Sequence, residues 1–321
     1  MPSTDLSPAR PRAAEVLCTG IAVLDAVFRV DRFPRPEAKT QASAFMIISG
    51  GCAANAAIAV ARLGGRARYA GPLGGPAGAE PIGDRIVADL AGAQVECACC
   101  PRLAGVASSM SAISIDGRGE RAIVNYRDDR LAAARPDDPS ALVATADAVL
   151  ADNRFPEFAL PICEAARARG IPVVLDADKP TQATDRLLRI ATHVVFSAEG
   201  LRATAATDDL TAGLARIAAS SGAFLAVTDG ADGMRWLASG ARADSGRMSA
   251  FPIEAIDTLA AGDVFHGAFA LGLAEGRSEI EAMRFAAAAA AIKCTRFGGI
   301  TGAPGRPEVE AFLAGRPRGL K

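Results

Sequence analysis

The sequence predicts an α/β protein in which helices flank a mainly parallel sheet and a small second sheet forms a β-lid. Short apolar runs alternate with helix-like segments from Pro136 onward, which is typical of parallel sheets. Earlier strands, over about residues 27–49 and 107–130, do not fit this alternation, so we assign them to the lid. Half of the 321 residues are hydrophobic but only 5% are aromatic. This composition favours close packing of helices on a sheet over an aromatic-lined barrel.

The N-terminal part supplies the first strand and half of the lid. Residues 1–14 are rich in Pro, Arg and Ser without an apolar segment, which indicates a disordered tail before a single domain over 15–321. The apolar run Val16–Leu24 predicts a buried strand that ends at Asp25, at the edge where open α/β sheets place ligands. Residues 27–30 and 42–48 can form lid strands.

The next segments alternate between helix and hairpin signals. Gly50 and Gly51 open an Ala-rich helix over Cys52–Leu63, and a glycine-rich stretch then precedes a helix over residues 84–90. The alternating segment Ser109–Tyr126, with Gly117 and Gly119 at its centre, predicts a β-hairpin of the lid.

The second half has the regular α/β alternation. Strands are predicted over residues 148–151, 172–175, 193–196 and 224–228, and the helices between them over 158–169 and 210–220. A hairpin over about 233–253 and helices over 264–274, 279–295 and 307–313 complete the chain.

Charge and cysteine content exclude several classes of function. The net charge is −1 with basic residues scattered among acids, so we expect no nucleic-acid partner. Cys97, Cys99 and Cys100 lack the partners of a zinc site, which indicates free thiols in a reducing cytoplasm. The apolar run Phe285–Ile292 is far shorter than the about 20 residues that span a bilayer. We therefore expect a cytoplasmic protein without a membrane partner.

The segment Asp257–Asp263 reads Asp-Thr-Leu-Ala-Ala-Gly-Asp and leads directly into a helix. The first-turn N–H groups of a helix have no intrahelical partners, and the helix dipole adds positive charge, so such an end can hold a phosphate. The carboxylate of Asp263 could take a proton from an attacking hydroxyl. The alternative is that Asp263 only caps the helix.

This segment resembles the second motif of the ribokinase-like (PfkB) carbohydrate kinases. The run from Gly50-Gly51 to Leu63-Gly64 looks like the first motif, and the turn Val227–Gly233 looks like the nucleotide-side turn. The resemblance covers about Val16 to Gly299. It implies a doubly wound α/β domain with a β-lid, ATP and Mg²⁺ as cofactors, and transfer of the γ-phosphate to a sugar hydroxyl.

The resemblance also implies residue roles. Asp263 would be the catalytic base, and the N–H groups of Ala260, Ala261 and Gly262 would stabilise the transferring phosphoryl group. The sugar would be bound by Asp25, Gly50, Gly51 and Asn55, and the nucleotide by Thr228, Gly230, Gly233 and Gly298. Some relatives need a monovalent cation, which the loop at Asp257 and Thr258 could host.

Two departures from the family pattern affect the site. The family commonly has Gly where this chain has Ala260, and a positive φ there would strain Ala by roughly 1 kcal/mol or more. The family's Asn-x-x-Glu element, which helps to arrange Mg²⁺, aligns with Ser197-Ala198-Glu199-Gly200 and matches at neither position. The metal ligands therefore stay unassigned.

A narrower resemblance is to sulfofructose kinases, through Gly119–Tyr126, Leu150–Arg154 and Lys293–Arg296 among other segments. Arg154, Asn125 and Lys39 could together grip an anionic end of the sugar, with Arg127 and Arg130 as rival donors. A sulfonate, phosphate or carboxylate would satisfy the same donors.

The leading hypothesis is a kinase of a sulfofructose-like or other ketose, with fructose, ribose and 2-keto-3-deoxygluconate as alternative sugars. A second hypothesis is a non-catalytic sugar- or nucleotide-binding protein, supported by Ala260 and the missing Asn-x-x-Glu element. A dinucleotide oxidoreductase is disfavoured because only Gly20 follows the first strand, without a Gly-x-Gly-x-x-Gly turn. Exposed lid edges favour a homodimer that forms through the lids.

Overall fold

A computed structural model describes residues 12–182, 185–238 and 245–316. Within them the strands are β1 (Glu15–Thr19), β2 (Val23–Arg29), β3 (Ala44–Gly50), β4 (Arg66–Ala70), β5 (Leu73–Gly75), β6 (Val95–Cys99), β7 (Arg102–Ala104), β8 (Ser109–Ile115), β9 (Arg121–Tyr126), β10 (Ala148–Asp152), β11 (Val173–Ala177), β12 (His193–Ser197), β13 (Phe224–Thr228), β14 (Met234–Leu237) and β15 (Ser245–Met248). The helices in the same ranges are α1 (Cys52–Arg62), α2 (Pro81–Gly92), α3 (Pro139–Val143), α4 (Pro156–Ala168), α5 (Arg186–Ile190), α6 (Ala198–Ala205), α7 (Leu210–Ala218), α8 (Ala261–Ala274), α9 (Glu279–Cys294) and α10 (Arg306–Ala314).

The large sheet has the order β15-β14-β13-β12-β11-β10-β1-β4-β6. The pairs from β13 to β6 are parallel, and only β14 and β15 join antiparallel. Helices cover both faces. Leu271 of α8 and Phe285 of α9 belong to one apolar cluster, whereas Phe158 of α4 and Leu214 of α7 belong to the other. The predicted doubly wound, mainly parallel sheet is thus confirmed.

A separate four-stranded sheet has the order β3-β2-β8-β9, and we call it the lid. β2 pairs antiparallel with β3 and parallel with β8, and β8 forms the predicted hairpin with β9. One face of the lid buries Val27, Ile113 and Ile115 against Leu259 and Phe297. Leu259 lies just before α8 and Phe297 lies just after α9, so this contact packs the lid against the loops at these two helix ends.

The strand predicted over Val16–Leu24 is wrong as a single element, because it divides between the two sheets. Gly20 separates β1 from β2 with φ 147°, and a Cβ there would lie 2.1 Å from Oδ2 of Asp152. The same oxygen accepts hydrogen bonds from the N–H groups of Ile21, at 2.8 Å, and Ala53, at 3.2 Å. Asp25 therefore lies within a lid strand, two residues from its start, and not at the end of a strand of the large sheet.

Other sequence expectations concern the ends and edges of the fold. Residues 1–11 of the predicted tail lie outside the described residues, and Arg12 donates to Oδ1 of Asp147 at 2.9 Å. β14 and β15 pair as the predicted hairpin, whose turn residues 239–244 also lie outside the described ranges. β4 and β6 were not predicted, since charged residues such as Arg66 and Arg68 interrupt their apolar pattern. Among the described helices, none is both long and apolar enough to span a membrane.

Candidate active site

The first turn of α8 carries Asp263, the acidic residue that the sequence singles out. Its Oδ2 accepts a hydrogen bond of 2.6 Å from the side-chain amide of Asn55 on α1. The two helices approach closely because Gly267 has no Cβ, which would lie 2.4 Å from the carbonyl oxygen of Ala56. Burial raises the pKa of Asp263 to about 6, while the bond from Asn55 opposes this rise. A carboxylate with such a pKa is suited to accept a proton near neutral pH.

The backbone before Asp263 has the positive φ that would strain the alanine in this motif. Ala260 is the residue that precedes the helix, and it is left-handed, with φ 63° and ψ 12°. The N–H of Ala261 donates to the carbonyl oxygen of Thr258 at 3.2 Å, so this predicted phosphate donor is already engaged. Gly262 is exposed, and a Cβ on it would meet no atom within 4 Å. The space in front of the first turn is thus open to a ligand.

The lid contributes a second buried carboxylate, Asp25, which is 6% exposed. A Cβ on Gly50 would lie 1.9 Å from Oδ2 of Asp25, so this glycine makes room for the carboxylate. Burial raises the pKa of Asp25 to about 7, Ser111 lowers it, and the charge of Asp263 raises it. Oγ of Ser111 also lies 2.9 Å from Oδ1 of Asn125, so its single hydroxyl hydrogen can bond to either acceptor.

A cavity of about 430 Å³ lies between the lid and the carboxyl edge of the large sheet. Small-molecule sites typically enclose roughly 300–1,000 Å³. Six predicted residues line it together: Asp25, Gly51, Asn55, Asn125, Arg154 and Asp263. Gly51 precedes α1 with φ 95°, and a Cβ there would lie 2.6 Å from the carbonyl oxygen of Ile21. The backbone of the first motif therefore packs too tightly at this point for any side chain.

Three basic residues also line the cavity: Arg154, Arg127 and Lys179. Arg154 forms an ion pair with Asp178, and its buried Nε has no hydrogen-bond partner among the described residues. Arg127 donates to the carbonyl oxygen of Arg154 at 3.3 Å. This wall of the cavity can therefore offer donors to an anionic group.

Two of the predicted anion-binding residues lie elsewhere. Lys39 is exposed in the loop that joins β2 to β3. The loop joins Arg29 of β2 to Ala44 of β3, which pair at one end of these strands. The cavity lies at the other end, where Val23 pairs with Gly50, so Lys39 is not part of the cavity wall. Arg130 is bound to Asp128, with Nη2 at 2.6 Å from Oδ2. Lys179 was missed by the sequence reasoning, although its place just after β11 was a usable signal.

Three further acids lie near Asp263, at the ends of β10 and β11: Asp152 and Asp176 are buried, and Asp178 is half-buried. Asp152 fixes the crossing to the lid, and burial raises its pKa to about 6. Oδ1 of Asp176 and Oδ1 of Asp178 are buried without a hydrogen-bond partner in the described ranges. Sγ of Cys52 and carboxylate oxygens of Asp176 and Asp263 lie within 4.8 Å of one another. The unpartnered carboxylate oxygens fit a hard divalent cation, which prefers oxygen ligands.

The segment aligned with the family's Asn-x-x-Glu element has a structural role. Oγ of Ser197 accepts a hydrogen bond of 3.0 Å from the N–H of Gly200 and so caps α6. Glu199 is exposed in the first turn of that helix. Neither residue lines the cavity.

The predicted nucleotide-side residues lie along the same edge of the sheet but outside the cavity wall. Thr228 ends β13 and pairs with Ser197 of β12. Gly230 and Gly233 have φ of 53° and 88°, and a Cβ on Gly233 would lie 2.1 Å from the carbonyl oxygen of Met248. The glycines therefore allow a tight turn directly after β13.

Gly298 follows α9 and contacts the loop that leads into α8. It is left-handed, with φ 111°, and its N–H donates to Oδ2 of Asp257 at 2.9 Å. A Cβ on Gly298 would lie 3.4 Å from Cε of Met46 on β3. Gly298 thus lies between the lid and the Asp257 loop.

Residues 13–306 match the pfkB family of carbohydrate kinases. The protein belongs to this family. As a pfkB-family sugar kinase it is a phosphotransferase with an alcohol group as acceptor, and the predicted family is confirmed.

Individual relatives share the fold over nearly the whole chain. A ribokinase of Bacillus subtilis is 27% identical over 92% of this chain and 98% of its own length. A putative ribokinase structure from Agrobacterium tumefaciens has a TM-score of 0.89 and 38% identity over 95% of this chain and all of that one. A fructokinase structure with bound ATP, from Xylella fastidiosa, has a TM-score of 0.75 and 26% identity over 94% and 98%. These are ribokinases and a fructokinase, so the narrower resemblance to sulfofructose kinases stays a prediction.

Proposed function

We propose that this pfkB-family protein uses ATP and Mg²⁺ to phosphorylate a small sugar that carries an anionic group. The observation that carries the proposal is the position of Asp263. Its carboxylate lies at the open first turn of α8 and lines the same cavity as Asp25 of the lid. The Xylella fastidiosa fructokinase with bound ATP supports ATP as the phosphate donor.

Asp263 accepts the proton of the sugar hydroxyl while that oxygen attacks the γ-phosphorus of ATP. The new O–P bond forms as the bond to ADP breaks, and the proton remains on Oδ of Asp263. The N–H of Gly262 and the positive end of the α8 dipole stabilise the negative charge on the transferring group. Asp25 orients the acceptor by accepting hydrogen bonds from the sugar hydroxyls.

Mg²⁺ neutralises phosphate charge when it is bound. The residues that fit this ion are Asp176 and Asp178, because each has a buried Oδ1 without a partner among the described residues. Cys52 is a softer ligand and is not assigned to it. Asp176→Asn should raise the Mg²⁺ concentration needed for half-maximal turnover.

The basic wall of the cavity supports an anionic substrate. Nε of Arg154 is buried without a hydrogen-bond partner in the described part of the chain, and Arg127 and Lys179 lie on the same cavity surface. A ketose with a sulfonate, such as sulfofructose, satisfies this wall while its hydroxyls face Asp25 and Asp263. Ribose, fructose and 2-keto-3-deoxygluconate are the comparison sugars. Ribose and fructose are included because the similar proteins are named as ribokinases and a fructokinase.

The test is ADP release with each of these sugars, and with ketoses that carry a phosphate. We expect kcat/KM for the best anionic sugar to exceed that for its neutral analogue by about 100-fold, the size of one lost charge-assisted contact pair. Arg154→Lys and Arg154→Met should remove most of this preference, and Arg130→Met, outside the cavity, should leave it. A preference for neutral ribose or fructose would contradict the anionic substrate but not the kinase.

We further propose that two copies of the chain pair through the outer face of the lid. Phe45, Ile47, Val124 and Tyr126 are exposed on this face at 55%, 41%, 74% and 57%, and the strand register adds no charged residue to it. An uncharged sheet face needs a covering layer. A second lid is complementary to it in both size and polarity.

A further inference from the structure

The loop that precedes α8 contains a fully buried ion pair. Lys293 of α9 is 0% exposed and Asp257 is 1% exposed. Nζ of Lys293 donates to the carbonyl oxygen of Asp257 at 2.7 Å and lies 3.3 Å from its Oδ2. A buried ammonium is costly unless charge and hydrogen bonds compensate it, and Asp257 supplies both from one residue.

Backbone N–H groups donate to both oxygens of the Asp257 carboxylate. Oδ1 accepts from the N–H of Leu259 at 2.8 Å, and Oδ2 accepts from the N–H groups of Gly298 and Gly299 at 2.9 Å each. The ammonium of Lys293 adds the only full positive charge within 4.0 Å of Oδ2 among the described residues. Arg121 of the lid approaches the next residue and donates to the carbonyl oxygen of Thr258 at 3.2 Å.

The sequence resemblance implied a monovalent cation at this same loop. Such an ion needs several oxygen ligands, mainly carbonyl and carboxylate groups. Here the carbonyl and one carboxylate oxygen of Asp257 already bind the ammonium of Lys293. The residues present therefore do not fit an additional cation.

We propose that Lys293 is a built-in cation, which does at the Asp257 loop what a monovalent metal ion would do, so that phosphoryl transfer by this protein is independent of K⁺. The proposal of K⁺ independence in turnover rests on the proposed kinase function. Lys293 is a positioning residue. It fixes Asp257, and through Leu259 it fixes the left-handed Ala260 and the open Gly262, which face the transferring phosphate.

The environment of the ammonium agrees with this role. Burial lowers the pKa of Lys293, and the negative charge of Asp257 opposes that change. A lysine ammonium is a compact point charge with three donors, so it can replace a small cation at one end while its alkyl chain anchors it to α9. The cation then needs no capture from solution.

The first experiment measures the wild-type protein at constant ionic strength, with KCl, NaCl or choline chloride. We expect turnover and melting temperature to be the same in all three salts. A several-fold stimulation of the wild-type turnover by K⁺ would overturn the proposal, whatever the variants do. The melting temperature needs neither sugar nor ATP, so it remains informative if the proposed kinase activity is absent.

The second experiment uses Lys293→Ala and Lys293→Met in the same salts. In choline chloride we expect a lower melting temperature and a turnover reduced by roughly 10- to 100-fold, because displacement of reacting groups by about 1 Å costs on that order. K⁺ or NH₄⁺ should restore part of both quantities. If turnover and melting temperature fall and neither K⁺ nor NH₄⁺ restores them, Lys293 has only a packing role and the proposal is wrong. The proposal is also wrong if both variants match the wild type.

Arg68→Met is the matched control. The Arg68 side chain on β4 is only 11% exposed, and its Nη1 lies 3.2 Å from Oε1 of the fully buried Glu15. Glu15 begins β1, so this ion pair lies away from the carboxyl edge of the sheet where the cavity is. Removal of this pair should lower the melting temperature, but K⁺ should not restore it. Rescue of Arg68→Met to the same extent would mean that K⁺ acts on stability in general.

Discussion

The side-chain amide of Asn55 lies 2.6 Å from Oδ2 of Asp263 and joins the first motif to the second across two helices. This bond favours the charged form of the carboxylate, against the burial that raises its pKa to about 6. The proposed base Asp263 and the amide of Asn55 that donates to it therefore come from segments more than 200 residues apart in the chain.

The first prediction concerns the pH dependence of catalysis. Asp263 must be ionised to accept a proton, so kcat should fall as the pH drops below about 6. In Asn55→Ala the pKa of Asp263 should rise, since a bond to its charged form is lost, and the acidic limb should move to higher pH. A pH profile of kcat measures this shift. Ile58→Val, a change on the same helix that leaves Asn55 in place, is the control and should show the wild-type fall of kcat at acidic pH. If the acidic fall of kcat in Asn55→Ala is not shifted, Asp263 is not the proton acceptor.

The second prediction concerns the strained backbone at Ala260. Ala260→Gly should raise the free energy of unfolding by about 0.5–1 kcal/mol, because a Cβ is unfavourable in the left-handed region. Denaturant titration measures the change. Ala261→Gly is the control, because Ala261 is helical and its replacement should lower the same quantity by about 0.5–1 kcal/mol. Equal signs for the two variants would show that Ala260 is not strained.

The third prediction concerns the space that Gly50 leaves for Asp25. A Cβ at position 50 would overlap Oδ2 of Asp25 at 1.9 Å, so Gly50→Ala should displace the carboxylate and raise KM for the sugar by about tenfold or more. Steady-state kinetics with varied sugar measures this, and KM for ATP should change little. Gly117→Ala, in open space on the lid hairpin, should leave both constants unchanged. A normal sugar KM in Gly50→Ala would remove Asp25 from the sugar site.

The fourth prediction concerns the outer face of the lid. Val124 lies on the edge strand β9 and is 74% exposed on the uncharged face, so Val124→Glu should weaken a dimer by placing two like charges in its interface. Light scattering coupled to size-exclusion chromatography gives the mass directly. Arg118→Glu on the hairpin turn should have no effect. A wild-type protein that is monomeric at micromolar concentration would contradict the proposed pairing.

Strands β10, β11 and β13 of the large sheet were predictable because Asp147, Pro172 and Asp229 adjoin their apolar runs, and the lid hairpin was predictable from its turn at Asp116–Gly119. The charged strand β4 and the neighbouring β6 were missed. The division of the first strand was not predictable, because Gly20 interrupts an apolar run that is buried on both sides of the break. What turns the chain there is Asp152, which bonds to the N–H of Ile21 from more than 100 residues away. Only a long-range contact of this kind reveals the turn.

The candidate site was predictable where local motifs fix the backbone, as at Asp263 and Gly51. The basic wall was predicted only in part. Lys179 follows β11 closely, at the carboxyl edge of the large sheet, and this usable signal was not used. Lys39 was chosen instead, although its distance from the cavity depends on which end of the β2–β3 pair carries its loop. Lys293 was inaccessible to sequence reasoning, because nothing local distinguishes a buried ammonium on an Ala-rich helix from an exposed one.

Asp25 belongs to the lid, whereas Asp263 belongs to the helix layer of the large sheet. Both carboxylates line one cavity, and the lid that carries Asp25 packs on Leu259, just before the helix that carries Asp263. The relative position of the two carboxylates therefore depends on how the lid sits on the large sheet, and a change in that packing would alter the cavity from both sides at once.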